Sequence, residues 1–479
     1  MRFYGNTSGD DLTYSDVFLV PSRSSVTSRL EVDLAPDDGT GATIPVVSAN
    51  MNSVTGPVLA ATLARRGGLG VLPQDMPLQD LDAAIRWVKE QPTWIDTPLR
   101  LAAHDTVSRA LSLLPALRGH GVVLEDENGR YLGCIAATRL GSALPDARLG
   151  DLLHGPLTSI ELEDIEDPRS AFDVMVAAEL DFAPVVQHGR VVGTLSRKSA
   201  LRSTLYTAAV DRKGRLKVAA ALGINGDVAG KARALAEAGV DTLVLDTAHG
   251  HQDGMLRALE KVAAQHLGVP LVAGNVVTPD GVRDLVSAGA NVVKVGVGPG
   301  AMCTTRMMTA VGRPQFSAVL ETAEAALGIG ARVWADGGVR YPRDVALALA
   351  AGASSVMIGS WFAGTIEAPG QLERDPDGRL YKQSWGMAST KAVHERFGRL
   401  DPYELARKEL FAEGISSSKI YLDPNRPSVE DLLDMITSGL RSSFTYAGAR
   451  TVAEFRERAL VGLQSATGYE EGKALPVSW

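Results

Sequence analysis

The sequence predicts an α/β fold, a closed (β/α)8 barrel interrupted by a smaller α+β insert. Three observations lead there. Eight short apolar runs, rich in β-branched residues, mostly end in glycine or a small polar residue. Helical patterns such as DVAGKARALAEAG (227–239) and TPDGVRDLVSAGA (278–290) lie between them and stop on glycine. One long gap, between the second and third runs, breaks the rhythm and carries an internal repeat.

The runs are, in order, IPVVSA (44–49), GLGVL (68–72), LKVAAALG (216–223), TLVLDTA (242–248), PLVAGN (270–275), VVKVGVG (292–298), RVWADGG (332–338) and SSVMIGS (354–360). Continuous rather than alternating apolarity suits strands buried on both faces, as in a parallel sheet. Eight successive β-α units favour closure into a barrel over an open sheet.

Within the gap, residues 97–137 and 155–196 share one layout: a polar start, a helix, an apolar strand, a turn (ENGR, HGR) and a second strand. The insert is expected over 94–205, dividing the barrel into 1–93 and 206–479. Each half looks like a CBS motif, and a pair of these builds a nucleotide-sensing module; a purely structural insertion is the other reading. A second irregularity, about 364–427, is polar, dotted with glycine and too long for a connector. Its aromatic residues and its place after the eighth run suggest a lid, or flap.

Bulk properties narrow the function. The 479 residues are 45% apolar and 22% charged, ordinary for a globular protein. Net charge is −8 with no basic arm, which argues against nucleic acid as a partner. No run nears the length of a membrane span, and the start, MRFYGNTSGDDLTYSD, lacks the apolar core of a signal peptide. The two cysteines, Cys134 and Cys303, cannot build a disulfide framework, so a cytoplasmic location is expected. No zinc-spaced cysteine and histidine cluster is present.

Cys134 sits inside an apolar run, YLGCIAA. Cys303 instead follows GVGPG, a backbone able to approach a ligand closely, and has Thr304 and Thr305 beside it. Barrels of this type carry their chemistry on the loops after the strands, and Cys303 lies after the sixth. That makes it a candidate nucleophile, given a base or a positive field. The loops after the seventh and eighth runs, ADGG and IGS, offer backbone N–H groups to a phosphate; ordinary turns are the alternative. The residues thus point to a cysteine nucleophile beside a phosphorylated small molecule.

VGVGPGAMCTTR, LDTAHGH, AGNVVT, WADGG and LTYSDVFLVP resemble the IMP dehydrogenase/GMP reductase family, and the likeness covers nearly the whole chain. It implies a barrel that binds a purine nucleotide (GMP or IMP) and a nicotinamide cofactor, with Cys303 attacking purine C2. The dehydrogenase branch oxidises IMP with NAD and hydrolyses the adduct. The reductase branch expels ammonia from GMP and reduces the adduct to IMP with NADPH.

Within that resemblance the insert favours the dehydrogenase, because typical reductases lack it. The barrel leans to the reductase. SANMNSVTG (48–56), TSRLEVDL (27–34), GLRSSFTYAGA (439–449) and YKQSWGMAS (381–389) are closer to that branch. The flap holds Arg396-Phe397 where a dehydrogenase typically has an Arg-Tyr pair to activate water. A reductase needs no such water. An NADPH-dependent GMP reductase is therefore the expectation, with an NAD-dependent IMP dehydrogenase second and a silent nucleotide sensor third.

By the same resemblance, Thr305 and Glu413 would move the proton that ammonia needs. Ser48, Asn275, Asp336, Gly337, Gly338, Gly359, Ser360, Met387, Ala388 and Gly414 would hold the substrate. Ser28, Arg29, Asp246, Thr247, Ala248, Gly296, Gly298, Ser442, Ser443, Phe444 and Thr445 would meet the cofactor, Ser28 and Arg29 serving a neighbouring subunit. The carbonyls of Gly298, Gly300 and Cys303 resemble a potassium loop. A homotetramer or octamer is implied, as are ATP or GTP at the insert. His249 and His251 read as loop scaffolding.

Several positions depart from the family pattern. Ala301 replaces a phosphate-contacting serine, Gln74 a cofactor-contacting lysine, and Leu410 an arginine; Trp385 stands for tyrosine. Arg139 and Ser199 occupy the places of the ribose-binding aspartates of the two CBS motifs.

Overall fold

Parallel strands buried on both faces need a crossover after each, and the helical patterns between the eight apolar runs meet that need. In the computed structural model, residues 2–3, 9–153, 158–386, 389–398, 401–410 and 418–474 are described. The strands are β1 (Val46–Ser48), β2 (Leu69–Leu72), β3 (Ala219–Leu222), β4 (Thr242–Asp246), β5 (Leu271–Val276), β6 (Val292–Val295), β7 (Arg332–Asp336) and β8 (Ser355–Ile358). They form a closed barrel in chain order. β8 returns to β1 with Val356 opposite Val46. β2 pairs with β3 through Val71 and Ala219, so the insert leaves the barrel unbroken.

Around the strands run α1 (Pro57–Arg65), α2 (Leu78–Glu90), α3 (Val228–Ala238), α4 (Asp253–Ala263), α5 (Pro279–Ser287), α6 (Gln315–Gly328), α7 (Pro342–Ala350) and α8 (Val429–Ala447). Their ends follow local chemistry. Proline opens α1, α5 and α7, where its missing N–H has no intrahelical partner to lose. Gly239 closes α3 at φ +101°, a conformation a Cβ would strain. α8 starts beside the end of α1, where Glu430 meets Arg66, and a later turn meets the start of α7, Gly439 lying against Pro342. It therefore climbs toward the C-terminal ends of the strands, counter to α1 and α7. No helix among the described residues is long and apolar enough to cross a membrane.

Between α2 and β3 the chain builds two three-stranded sheets outside the barrel. The first holds Leu99–Ala102, Gly121–Glu125 and Tyr131–Ala136; the second holds Ile160–Glu161, Phe182–Gln187 and Arg190–Ser196. In both, the first two strands are parallel and the last two form an antiparallel hairpin. The sequence repeat is thus a structural repeat. Val123 from one half and Val186 and Val191 from the other join in a small shared core.

A buried charge cluster fastens this insert to the barrel. Arg66, without exposed surface, reaches Glu430 at 2.6 Å and Asp96 at 3.1 Å. Arg202 pairs with Glu430 at 3.0 Å, Asp431 at 2.6 Å and Asp434 at 2.7 Å. Burial pushes the Glu430 carboxyl up, but the guanidinium groups of Arg66 and Arg202 outweigh it and hold the group below its usual range. Each ion has several partners, as buried charges require.

The segment expected as a flap has more order than its polar composition suggested. Glu373–Arg374, Leu380–Ser384 and Ser418–Tyr421 form a three-stranded sheet, and Thr390–Phe397 and Pro402–Leu410 are helices. Lys382 is buried at its root, donating to the carbonyls of Ile366 and Ala368. Burial pulls its ammonium down to about 8. A further small sheet joins the chain ends: Arg2–Phe3, Leu460–Leu463 and Val17–Val20.

Candidate active site

The loop after β6 is shaped by glycines. Gly296 (φ +151°) and Gly298 (φ +84°) take conformations that favour a residue without Cβ, and the Arg306 side chain covers Gly298. A turn closes where Cys303 N–H donates to the Gly300 carbonyl at 3.0 Å. Cys303 is exposed, and its Sγ lies 3.3 Å from Thr305 Oγ1 at the head of a short helix, Thr305–Thr309. An exposed thiol and a hydroxyl able to pass a proton are thus neighbours.

The loop after β7 packs onto this one. Gly337 (φ +87°) and Gly338 (φ +83°) follow Asp336. A Cβ on Gly337 would stand 3.2 Å from Gly300 N and from Pro299 Cγ. The buried Gln315 ties both loops, donating to the carbonyls of Val295 (2.8 Å) and Asp336 (3.2 Å). Gly359 and Ser360, half-buried, open a short turn of helix after β8.

Beneath the loops a polar layer crosses the barrel. Lys294, on β6, has a side chain 2% exposed, yet its Nζ reaches Asp336 Oδ2 at 2.6 Å and Asp246 Oδ1 at 3.0 Å. Burial pulls its ammonium down, and the two carboxylates outweigh that and hold it charged. Asn275 Nδ2 donates to Asp336 Oδ2 at 2.9 Å and to the Gly296 carbonyl at 2.7 Å. Asn50 Nδ2 donates to Asp246 Oδ2 at 2.9 Å. Neither Lys294 nor Asn50 was expected at the site. The available signal was a lysine inside VVKVGVG, a charge within a run otherwise buried on both faces.

On the β4 side, Thr247 exchanges backbone hydrogen bonds with Gly274 and Asn275, each at 3.0 Å, and Ala248 is exposed beyond it. His251 is held by Asp284 at 2.7 Å, a scaffolding contact.

Ser28, Arg29 and the 442–445 stretch form a separate group on the outer rim. Arg441 links them, donating to the carbonyls of Arg29 and Val32. Arg29 is exposed there. Ser28 Oγ accepts from Leu30 N–H, and the hydroxyls of Ser442, Ser443 and Thr445 donate to carbonyls one turn back in α8.

At two expected ligand contacts the side chains have no exposed surface. Phe444 is fully buried and stacked on Phe455 with ring centroids 4.1 Å apart. Ser48 is fully buried, its hydroxyl accepting from Thr55 at 2.8 Å. Both serve packing. Ser199, at an aspartate's place in the insert, is likewise spent on a helix cap with Ser196.

Glu413, Gly414, Met387 and Ala388 lie outside the described residues, as do the side chains of Arg396 and Phe397. Of the departures, Ala301 and Leu410 are exposed, Gln74 Oε1 is buried without a partner among the described residues, and Lys391 Nζ sits 3.6 Å over the Trp385 ring. Among the described residues no cluster of three or more His, Cys, Asp or Glu is placed to hold a metal ion; the Gly298, Gly300 and Cys303 carbonyls are a different kind of donor.

Known proteins share this arrangement. Residues 11–474 match the family described as IMP dehydrogenase / GMP reductase domain. The GMP reductases of Mycobacterium tuberculosis and Mycobacterium bovis are 55% identical to the chain, with 100% of both chains covered. An inosine-5′-monophosphate dehydrogenase of Aquifex aeolicus is 35% identical, over 96% of this chain and 94% of its own. A crystal structure of a GMP reductase variant from Trypanosoma brucei in complex with guanosine 5′-monophosphate superposes with a TM-score of 0.69 at 30% identity, covering 98% of this chain and 99% of that one. A cysteine-bearing loop against a glycine-rich one, on a barrel alike over its full length, leads to one conclusion: the chain belongs to the IMP dehydrogenase/GMP reductase family.

Proposed function

We propose that the protein is an NADPH-dependent GMP reductase, converting GMP to IMP and ammonia. The observation that carries this reading is the Cys303–Thr305 pair, 3.3 Å apart in an exposed loop packed on the Asp336–Gly338 cradle. Full-length relatives at 55% identity bear that name, against 35% for the dehydrogenase.

In this mechanism the Cys303 thiolate bonds to guanine C2. The exocyclic nitrogen takes a proton relayed by Thr305 from Glu413 and leaves as ammonia. NADPH, when bound, supplies the hydride that C2 then accepts, and the C–S bond breaks to return the thiolate. Asp336 accepts from the ribose hydroxyls, while Gly337, Gly338, Gly359 and Ser360 face the phosphate. Phe397, without a hydroxyl, leaves the flap poorly equipped to activate water.

The residues fit the cofactor on two counts. Asp246, Thr247 and the exposed Ala248 border the cleft on the nicotinamide side. The exposed Arg29 suits a 2′-phosphate, which a guanidinium fork recognises better than a hydroxyl; its rim position fits service to a neighbour's cofactor in a tetramer or octamer. A monovalent cation such as potassium would sit on the carbonyls of Gly298, Gly300 and Cys303.

We read the insert as a tandem CBS module. A cavity of about 530 Å³ lies between it and the barrel, lined by Arg118, Arg197, Lys198 and Arg202 and equally by Asp96, Asp181, Glu430 and Asp431. These cations are paired with carboxylates, so ATP or GTP at the insert rests on the tandem layout alone, and Ser199 offers no carboxylate to a ribose.

The deciding assay pairs GMP with NADPH and IMP with NAD. Oxidation of NADPH with release of ammonia is expected. XMP formation from the second pair would instead assign the dehydrogenase reaction, and silence in both would leave a nucleotide sensor.

A further inference from the structure

We propose that Lys294 is a positioning residue for the reaction, holding the two carboxylates that meet the two nucleotides in one fixed geometry. The proposal rests on the assignment of Asp336 to the GMP ribose and Asp246 to the cofactor side.

A lysine inside a barrel strand buried on both faces is costly unless its charge is fully paired. Lys294 is so paired. Its Nζ has three donors, and it lies 2.6 Å from Asp336 Oδ2, 3.0 Å from Asp246 Oδ1 and 3.8 Å from Met357 Sδ. The carboxylates come from β7 and β4, so one cation joins strands across the barrel. Asn275 adds a second bond to Asp336 Oδ2, and Asn50 one to Asp246 Oδ2. Both inward bonds to Asp336 fall on Oδ2, which leaves Oδ1 for the ribose diol.

Without the cation, two carboxylates would face each other in a site that must also receive two anionic nucleotides. Each would be held by an amide alone. A ribose hydroxyl needs its acceptor fixed in direction and charge before binding, and the ammonium supplies both. Because the contact persists through the reaction, its loss weakens binding of ground state and transition state alike. The expected signature is a raised KM with little change in kcat.

The test uses Lys294→Met and the charge-balanced Lys294→Met/Asp246→Asn. Lys294→Met is expected to raise the GMP KM by about tenfold or more with kcat within about threefold, and to raise the NADPH KM as well. The double variant should recover thermal stability, since no second carboxylate repels Asp336, while its GMP KM stays high. A cation needed only for the fold predicts the reverse: the double variant regains both stability and GMP affinity. That result, a GMP KM within about twofold of wild type in Lys294→Met, or failure of both variants to fold would overturn the proposal. Wild type in the same assay tests the activity separately. Should it not turn over, calorimetric titration with GMP and NADPH alone still reads the effect of Lys294.

Discussion

Gly337 leaves barely room for a single methyl group against Gly300: a Cβ on the first would stand 3.2 Å from the amide nitrogen of the second. The loop read as the phosphate cradle and the loop that carries Cys303 therefore share one packed surface. Gly337→Ala adds a methyl there at φ +87°, a strain of order 1–3 kcal/mol. It should displace the Cys303 loop and lower kcat/KM for GMP by roughly tenfold to a hundredfold. Steady-state kinetics measures this; unchanged kinetics would mean that the two loops move independently.

Cys303→Ala is expected to keep GMP affinity within about twofold and to lose turnover by a factor of about 1,000 or more. Thr305→Val should lower kcat by roughly a hundredfold, the usual weight of a proton-transfer group. Mass spectrometry of quenched, cycling wild type should trap a nucleotide on Cys303. Turnover by the alanine variant would exclude the covalent route.

Arg66→Met leaves the half-buried Asp96 without its cation and the buried Glu430 with Arg202 alone. Removing one partner of such a cluster costs about 3–5 kcal/mol. Thermal unfolding should fall in midpoint, with part of the loss regained in Arg66→Met/Glu430→Gln. An unshifted midpoint would reduce the cluster to a passive contact.

Glu367 supplies a pH dependence. Burial pushes its carboxyl up from 4.5 to about 7, against the lowering effect of its bonds from Ser428 and the Val429 N–H. The folded protein therefore holds this proton where the unfolded chain releases it. Stability from the group is fully present below pH 4.5 and is lost as pH rises through about 7. The loss is on the order of 3 kcal/mol. Glu367→Gln should match wild type near the acid end and exceed it in unfolding midpoint at alkaline pH. Parallel midpoint curves for the two proteins would refute the assignment.

Arg29→Met should raise the NADPH KM by about tenfold while leaving the NADH KM little changed. Equal effects on both would place Arg29 away from the 2′-phosphate.

The barrel was legible because its strands are buried on both faces, a condition that writes itself as unbroken apolar runs. Cys303 stood out for the opposite reason, a thiol placed where the run ends. Lys294 was missed because a charge in an apolar run conflicts with that pattern, and only the positions of Asp246 and Asp336 explain it. Ser48 and Phe444 were assigned from likeness of motif, which fixes a place in the chain but not the direction of a side chain. The flap sheet and the sheet of Arg2–Phe3, Val17–Val20 and Leu460–Leu463 escaped notice because such short strands have no readable period and their partners are distant in sequence.

That last sheet bears on the order of events during synthesis. Leu460–Leu463 is its central strand, so it cannot assemble until residue 463 has left the ribosome. Each sheet of the insert, by contrast, finds its three strands within a short stretch and can close while the rest is still being made. The nascent chain thus carries a finished insert on a barrel still open, and the sheet that joins these distant segments seals afterwards.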